Sequence, residues 1–312
     1  MPVAGRVAVI VGSVRPMGRR HDTVTFLSDF GTRDETVGVV KAVLRDLAPH
    51  AHVLDLTHEV PPFDVRAGSL ALARAVGYLP EGVVLAVVDP GVGTARRAVA
   101  IEVAGGGGVF VGPDNGLLAP AVAMAGGAER CVLLTDTGFH LEAPGVTFAG
   151  RDVFGSVAAH LCNGVDIDEL GESIEAELLL PGVVPLPRDQ GDTLVCEVLW
   201  VDRFGNCQLN AGPDDVVALG DPVRVTAGDA HAPVVRVAVR VATYADAASG
   251  AVGMIVDGSG MLSLVLDRRS AADELSLSTG DQVVLAPLGD DDRDGRGGVT
   301  SPVASPVTLR RS

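Results

Sequence analysis

The strongest constraint on the fold is the run VVLAVV, Val83 to Val88, in which every residue is apolar. A strand without a polar face must be buried on both sides, which is typical of a parallel sheet covered by helices. The sequence before this run also predicts alternating strands and helices. Thr23 to Ser28 and His52 to Leu56 are predicted strands with a helical spacing of apolar residues between them, and Val65 to Val76 is a predicted helix. Further helices are predicted from about Gly116 and from Asp152 to Cys162. The first half of the chain is therefore predicted to be an α/β domain with a central, mostly parallel sheet.

The pattern changes at PGVVPLPRDQGDT, where three prolines and a polar cluster interrupt the helical spacing. Short β-rich runs separated by turn residues follow, of which the first is Leu194 to Val201, and they predict a smaller all-β, barrel-like domain. The last residues are rich in charge, Gly and Pro, a composition typical of disorder. Before the first strand we interpret the sequence as an extra arm, with Met17 as an alternative start. The arm, α/β domain, linker, β domain and tail are predicted at residues 1–22, 23–180, 181–193, 194–288 and 289–312.

Composition argues against several classes of partner. The chain has 40 Asp and Glu against 24 Lys and Arg, and its formal charge of -16 would repel nucleic acid and anionic lipid. The apolar run VAVIVGSV near the start is too short to span a membrane. None of the four cysteines forms a CxxC pair and the seven histidines lack metal-ligand spacing, so neither a zinc site nor a disulfide framework is indicated. We therefore expect a cytoplasmic protein with no nucleic-acid, membrane or metal partner.

Two carboxylates follow predicted strands at the edge where open α/β sheets bind ligands. These are Asp29, after Thr23 to Ser28, and Asp89, after Val83 to Val88. Either residue alone has an ordinary explanation as a turn or helix-cap residue. Together they suggest a site, because an ionised carboxylate accepts hydrogen bonds from two hydroxyls at once and suits a vicinal diol such as ribose.

The segment after the second carboxylate reads VVDPGVGTARR. Gly91 and Gly93 permit close approach of the backbone to a ligand, and Arg96 follows Asp89 by seven residues. A carboxylate and a guanidinium facing one pocket are able to orient and polarise a water molecule. The glycine spacing matches neither a dinucleotide-binding fingerprint nor a phosphate-binding loop.

Five motifs, in their order and spacing, resemble those of the S-adenosylmethionine (SAM) hydroxide adenosyltransferases, hydrolytic relatives of the fluorinase and chlorinase enzymes. The resemblance runs from about Thr23 to Leu288. The motifs are SDFGTRD (Ser28 to Asp34), VVDPGVGTARR (Val87 to Arg97), GPDNGLL (Gly112 to Leu118), TFAGRDVF (Thr147 to Phe154) and VDRFGNCQLN (Val201 to Asn210).

This resemblance implies attack of a water-derived hydroxide on C5′ of SAM, which releases adenosine and methionine without a metal or cofactor. It also implies a homotrimer whose active sites lie between the α/β domain of one subunit and the β domain of the next. Asp89 and Arg96 would handle the water, Asp29 would hold the ribose diol and Asp202 the methionine ammonium. The full set of implied substrate-binding residues is Asp29, Asp34, Glu35, Thr36, Phe63, Gly150, Asp202, Phe204, Asn206, Gly258, Ser259 and Arg268.

The chain departs from the family pattern at two places. The family's Asn-Ser pair reads Asp257-Gly258, and its Phe-His-Gly-Arg-Asp motif has Ala149 where the histidine stands, next to Gly150. Loss of a true acid or base costs about 10²- to 10⁴-fold in rate, so we expect a weakened hydrolase. A SAM-dependent halogenase is an alternative, although a carboxylate at position 89 would repel halide. A module that binds SAM or adenosine without turnover is another.

Overall fold

A computed structural model of the chain describes residues 20–228 and 232–289. They form two compact units that divide after Val183. The first contains one mixed sheet with helices, and the second contains a β-barrel, which confirms the predicted fold class. The domain boundaries drawn from the sequence stay predictions. Residues 1–19 of the predicted arm and 290–312 of the predicted tail lie outside the described residues.

The first unit alternates strands and helices along most of its length. The helix Val65–Ala75 shows how local sequence sets an element's start, because the Asp64 carboxylate accepts a hydrogen bond from the Ala67 N–H at 2.8 Å and caps the helix. In chain order the elements are β1 (Thr23–Ser28), α1 (Thr36–Leu47), β2 (His52–Thr57), α2 (Val65–Ala75), β3 (Gly82–Val87), β4 (Ala98–Val103), β5 (Gly108–Pro113), α3 (Ala119–Met124), β6 (Arg130–Leu133), α4 (Ser156–Cys162) and β7 (Glu172–Ser173).

The seven strands are ordered β2-β1-β3-β5-β4-β6-β7. Strands β2, β1, β3 and β5 are mutually parallel and form the core of the sheet, whereas β4, β6 and β7 add an antiparallel flank. The carboxyl ends of the four parallel strands therefore lie at one edge. This arrangement brings the loops that follow β1 and β3 side by side, since Ser28 is in register with Val87.

Strand β3 is buried at every position, as its sequence predicts. Its side chains alternate between two apolar clusters, one shared with α1 and α4 and the other with α2 and α3. Burying each large apolar side chain contributes about 1.5–3 kcal/mol, so this strand anchors the loop that follows it. The first cluster receives Val83, Leu85 and Val87, and the second receives Val84, Ala86 and Val88.

The second unit is a seven-stranded barrel in the order β10-β14-β13-β12-β11-β15-β9, which closes because β9 also pairs with β10. The short β8 adds to the outer side of β9. Helix α5 packs its apolar residues into the barrel core. The elements are β8 (Arg188–Asp189), β9 (Leu194–Val201), β10 (Cys207–Leu209), β11 (Val223–Ala227), β12 (Val234–Arg240), β13 (Val252–Val256), β14 (Leu262–Val265), α5 (Ala271–Leu275) and β15 (Gln282–Pro287).

Two helices differ from the sequence prediction. The helix expected from about Gly116 begins at Ala119, because Gly116 has a positive φ of 90° that a right-handed helix does not accept. The helix expected from Asp152 is preceded by a π-helical turn, Gly150–Gly155, that runs directly into α4. No helix within the described residues is long and apolar enough to cross a membrane.

Candidate active site

Asp89 and Arg96 form a two-pronged ion pair beyond the end of β3. Arg96 Nε donates to Asp89 Oδ1 at 2.9 Å, and Nη2 donates to Oδ2. Both side chains are largely buried, with 5% of Asp89 and 13% of Arg96 exposed. The planar guanidinium fork holds the carboxylate in one orientation. The two residues paired from the sequence are therefore in direct contact.

The loop between them depends on its glycines. Gly93 has φ of 77°, which favours glycine, and a Cβ on Gly91 would lie 3.2 Å from Arg96 Cβ. The Thr94 hydroxyl donates to the Gly91 carbonyl at 2.7 Å and closes the turn. Arg96 Nη1 also donates to the Arg97 carbonyl at 3.0 Å, so the guanidinium is fixed by the backbone as well as by its carboxylate.

Asp29 and Phe63 meet at the neighbouring strand end. The Phe63 N–H donates to Asp29 Oδ2 at 2.9 Å. Phe63 has φ of 68°, an uncommon conformation for a bulky residue, and the residue is 72% exposed. Strained backbone of this kind clusters at functional sites. An exposed aromatic residue whose N–H binds a carboxylate suits a ligand with both a sugar and an aromatic base.

The residues at the start of α1 have structural roles that are visible without a ligand. Asp34 Oδ1 accepts a hydrogen bond from the Thr36 N–H at 2.9 Å, and that bond lowers the pKa of the exposed Asp34 carboxyl. Glu35 occupies the position before the helix without a side-chain cap bond. Asp34 therefore has a structural role at the start of the helix, and ligand contact by Asp34, Glu35 and Thr36 stays a prediction.

The π-helical turn lies against both the loop after β1 and the Asp89 pair. Gly150 packs on the ring of Phe30 so closely that a Cβ would meet Phe30 Cζ at 2.6 Å. The Phe154 ring stacks under Arg96, with Arg96 Cζ 5.1 Å from the ring centroid. Ala149, at the position of the family's histidine, is half-buried against the apolar core of this unit. π-Helical turns are rare and often occur at functional sites.

The barrel carries a separate cavity of about 550 Å³. Four predicted residues line it together: Asp202, Phe204 and Asn206, which share one turn, and Arg268, which is distant in the sequence. Phe204 is 72% exposed, so its ring is available to a ligand and is not a core aromatic. The remaining lining residues were not among the predicted site residues and are Tyr244, Leu266, Asp267, Arg269 and Ser270.

Asp202 organises the turn beside this cavity. Its Oδ1 accepts hydrogen bonds from the N–H groups of Phe204 and Asn206 at 2.8 and 2.9 Å, and its Oδ2 accepts from Asn206 Nδ2 at 2.8 Å. Gly205 is required in this turn because it has φ of 84° and a Cβ would lie 2.1 Å from the Ser270 hydroxyl oxygen. The carboxylate thus presents Phe204 and Asn206 to the cavity.

Gly258 and Ser259 lie outside the lining of the cavity. They belong to the turn between β13 and β14, where Asp257 Oδ1 accepts from the Ser259 N–H at 2.8 Å. Asp257 Oδ2 also accepts from Gln208 Nε2 at 2.6 Å, so the turn is tied to β10.

Tyr244, in contrast, lines the cavity and is half-exposed. The only sequence signal for it was an aromatic residue in a polar stretch, TYADAAS, which does not distinguish a site from a surface.

The cysteines and the acidic groups do not build further centres in the described residues. All four cysteines are free and buried, and burial raises the pKa of the Cys162, Cys196 and Cys207 thiols to about 12. Within residues 20–228 and 232–289, no cluster of three or more His, Cys, Asp or Glu side chains is arranged to hold a metal ion.

Comparison with known proteins assigns both units to one family. The model of the SAM hydroxide adenosyltransferase N-terminal domain matches residues 24–171, and that of the C-terminal domain matches residues 196–284. The chain is 43% identical to the (R)-S-adenosyl-L-methionine hydrolase of Salinispora tropica, over 83% of this chain and 96% of that protein. It is 42% identical to the hydrolase of the same name from Thermus thermophilus, over 84% and 98% of the two chains.

More distant relatives and solved structures agree. A fluorinase from an Actinoplanes species is 27% identical over 63% of this chain and 74% of its own length. A crystal structure of an uncharacterized conserved protein from Thermotoga maritima superposes with a TM-score of 0.76 at 32% identity, covering 84% of this chain and 99% of that one. The sequence match, the fold and the two-unit organisation lead to the same conclusion: this chain belongs to the SAM hydroxide adenosyltransferase family.

Proposed function

We propose that the chain hydrolyses SAM to adenosine and methionine by in-line attack of water at C5′. The observation that carries this proposal is the buried, two-pronged Asp89–Arg96 pair at the carboxyl end of a central strand, beside Asp29. The relatives that are 42–43% identical are named (R)-S-adenosyl-L-methionine hydrolases, so we expect the (R) sulfonium diastereomer to be the better substrate.

The chemistry needs positioning more than acid catalysis. The water oxygen forms a bond to C5′ while the C5′–S bond breaks, and the electron pair of that bond goes to sulfur, which leaves as the neutral thioether of methionine. The attacking water must also lose a proton. A carboxylate has about four acceptor sites, of which Arg96 occupies two on Asp89. The others are available to hold the water in line and to accept its proton.

Substrate binding would be divided between the two units. Asp29 holds the ribose diol beside the exposed ring of Phe63, and the barrel cavity receives the adenine between the exposed rings of Phe204 and Tyr244. Asp202 faces that cavity as an acceptor for the methionine ammonium. The other residues that we propose to contact the substrate are Asp34, Glu35, Thr36, Asn206, Gly150, Gly258, Ser259 and Arg268.

We further propose that these half-sites are combined in a cytoplasmic homotrimer, in which the first unit of one subunit faces the barrel of the next. The four free, buried cysteines agree with a reducing compartment. Light scattering should give three times the chain mass. Co-expression of an Asp89→Asn chain with an Asn206→Ala chain should restore activity that neither variant has alone, because mixed trimers contain some intact sites. Absence of restoration in verified mixed trimers would argue for sites built within single subunits.

The half-buried methyl group of Ala149 supplies no proton chemistry, so we expect a slow enzyme. An Ala149→His variant should turn over faster, because an imidazole there would join the turn that packs against Arg96 through Phe154. An Ala149→Phe variant controls for the added bulk without adding a proton-transfer group. An equal gain from both variants would assign the effect to packing.

The decisive experiment incubates the protein with each SAM diastereomer in ¹⁸O-water containing chloride, with mass detection of the nucleoside product. Hydrolysis predicts ¹⁸O in the 5′-hydroxyl of adenosine and an equal amount of methionine. 5′-Chloroadenosine would instead indicate a halogenase. Tight binding of SAM without any product, from the wild type and from Ala149→His, would indicate a binding module.

A further inference from the structure

A buried polar contact connects the end of β1 with the end of β2. Ser28 Oγ lies 2.8 Å from His58 Nδ1, and both residues are buried. On its other side, His58 Nε2 lies 3.2 Å from Asp55 Oδ1, a close polar contact without the alignment of a good hydrogen bond. Lys41 Nζ donates to Asp55 Oδ2 at 2.8 Å. A line of polar groups therefore runs from the half-exposed Lys41 to the residue next to Asp29.

With the ring hydrogen of His58 placed on Nε2, the donors in this line have one consistent direction. The Phe30 N–H donates to Ser28 Oγ at 3.4 Å, so the Ser28 hydroxyl is free to donate its own hydrogen to His58 Nδ1. The other ring nitrogen then carries the hydrogen and faces Asp55. Partial burial opposes ionisation of Asp55, but Lys41 and His58 outweigh it and lower the pKa of that carboxyl. An ionised Asp55 favours this tautomer of His58.

The order Ser, His and Asp resembles a nucleophile with its base, but the burial excludes that role. Ser28 has no exposed surface, and its hydroxyl is in contact with the buried ring of His58. A nucleophile must reach its substrate. The contacts of His58 are therefore those of a residue that fixes its neighbours.

His58 also fixes backbone on both sides of the proposed ribose site. Its carbonyl accepts a hydrogen bond from the Gly31 N–H at 2.7 Å, in the loop after β1. Its ring packs edge-on against Phe26 of β1 with centroids 4.6 Å apart. The loop that His58 begins continues to Phe63, whose N–H donates to Asp29. Both loops that hold Asp29 are thus tied to one histidine.

We propose that His58 is a positioning residue for ribose recognition: through the contact of its ring with Ser28 it holds the Asp29 carboxylate at the distance and angle that the 2′- and 3′-hydroxyls require. The inference rests on the proposed function, because it assigns the diol to Asp29. It goes further in predicting that a residue without substrate contact controls discrimination between ribose and a sugar that lacks the diol.

Two substitutions of His58 distinguish the contact made by Nδ1 from the contact made by Nε2. In His58→Asn, the amide oxygen takes the place of Nδ1 and is able to accept from Ser28. In His58→Gln, the amide lies near the place of Nε2, so the variant keeps the contact with Asp55 and loses the contact with Ser28. Each variant is assayed as the full-length protein by calorimetric titration with adenosine and with 2′,3′-dideoxyadenosine, and by SAM turnover. Thermal melting of each variant reports the folded fraction.

We expect His58→Gln to raise the Kd for adenosine by about five- to tenfold, as for one lost hydrogen bond, and to leave the Kd for dideoxyadenosine nearly unchanged. His58→Asn should remain within about twofold of the wild type for both nucleosides. In turnover, the loss should appear in KM with kcat largely kept, because the diol contact is the same in ground and transition states. If His58→Gln does not fold, Ser28→Ala gives the same test with a smaller change.

A purely structural role would lower the melting temperature without changing the preference for adenosine over dideoxyadenosine, and that result would overturn the inference. The inference would also be overturned if His58→Gln weakened the binding of both nucleosides equally, or if His58→Asn and His58→Gln lost the same affinity for adenosine. Failure of the proposed function has a different signature. In that case the wild type itself would not hydrolyse SAM, whatever its preference between the two nucleosides.

Discussion

Replacement of Asp89 with Asn separates the chemical role of this carboxylate from its structural role. In the wild type both carboxylate oxygens accept hydrogen bonds from Arg96. In the variant an NH₂ group replaces one carboxylate oxygen and faces an N–H donor of Arg96. One charge-assisted bond is therefore lost while the side chain keeps its size. A hydrogen bond to a charged group is worth about 1.5–3 kcal/mol, and we expect a loss of unfolding free energy of that order.

The effect on turnover should be much larger. If Asp89 accepts the proton of the attacking water, an amide cannot replace it, and kcat should fall by about 10²- to 10⁴-fold. Binding of adenosine should be nearly unchanged, because Asp29 and Phe63 are untouched. The assay is single-turnover formation of adenosine from SAM, with urea unfolding of the same samples to measure the stability.

The chain contains a matched control. Asp114 follows β5 as Asp89 follows β3, pairs with Arg97, and has only 3% of its side chain exposed. It also accepts a hydrogen bond from the Leu180 N–H at 2.8 Å, which gives it a structural role in the segment after β7. Asp114→Asn should lose comparable stability with little loss of kcat. Two results would refute the assignment of water handling to Asp89: equal losses of kcat in both variants, or an Asp89→Asn variant that keeps more than about a third of the wild-type kcat.

Three further predictions follow from the geometry. Phe204→Ala should weaken adenosine binding by about 1–3 kcal/mol in calorimetry, as expected for a lost stacking partner, without a measurable change in melting temperature, because the ring is 72% exposed. Gly150→Ala should lower the unfolding free energy by about 1–3 kcal/mol in urea titrations, since the new Cβ meets Phe30 Cζ at 2.6 Å. Burial lowers the pKa of His160 in the folded state, so protonation favours the unfolded chain. The unfolding free energy should therefore be flat above about pH 7 and fall as the pH drops below about 6.5, with a shallower fall in His160→Gln; an unchanged slope in that variant would contradict this.

Much of the fold could be read from apolar patterns because burial dictates them. Strand β3 has no polar face and is buried at all positions, and β9, predicted at Leu194–Val201, has those bounds in the structure. Strand β10 was missed because its Cys207–Leu209 is too short to show a pattern, and it exists only through pairing with β9 and β14. The π-helical turn was also missed, since it depends on how closely Gly150 approaches Phe30 in three dimensions.

The candidate site was predictable to the extent that its residues are close in sequence. Asp89 and Arg96 are seven residues apart on one loop, and their contact agrees with the prediction. The contact of Asp29 with Phe63 spans 34 residues and became visible only once β1 and β2 were paired. Tyr244 joined the barrel cavity by closure of the barrel, which no local pattern in the sequence encodes.

The barrel's strand order also has a consequence for synthesis on the ribosome. Strand β15, the last of the barrel, inserts between β11 and β9, and Gln282 pairs with Glu197, far earlier in the chain. Until it emerges, β9 and β11 each present an open edge, and exposed edges are templates for pairing with other chains. Closure must wait for the final strand, so this unit is expected to fold after translation of its whole length, whereas the parallel core of the first unit is complete by Pro113. A nascent chain is therefore most exposed to misassembly late in its synthesis.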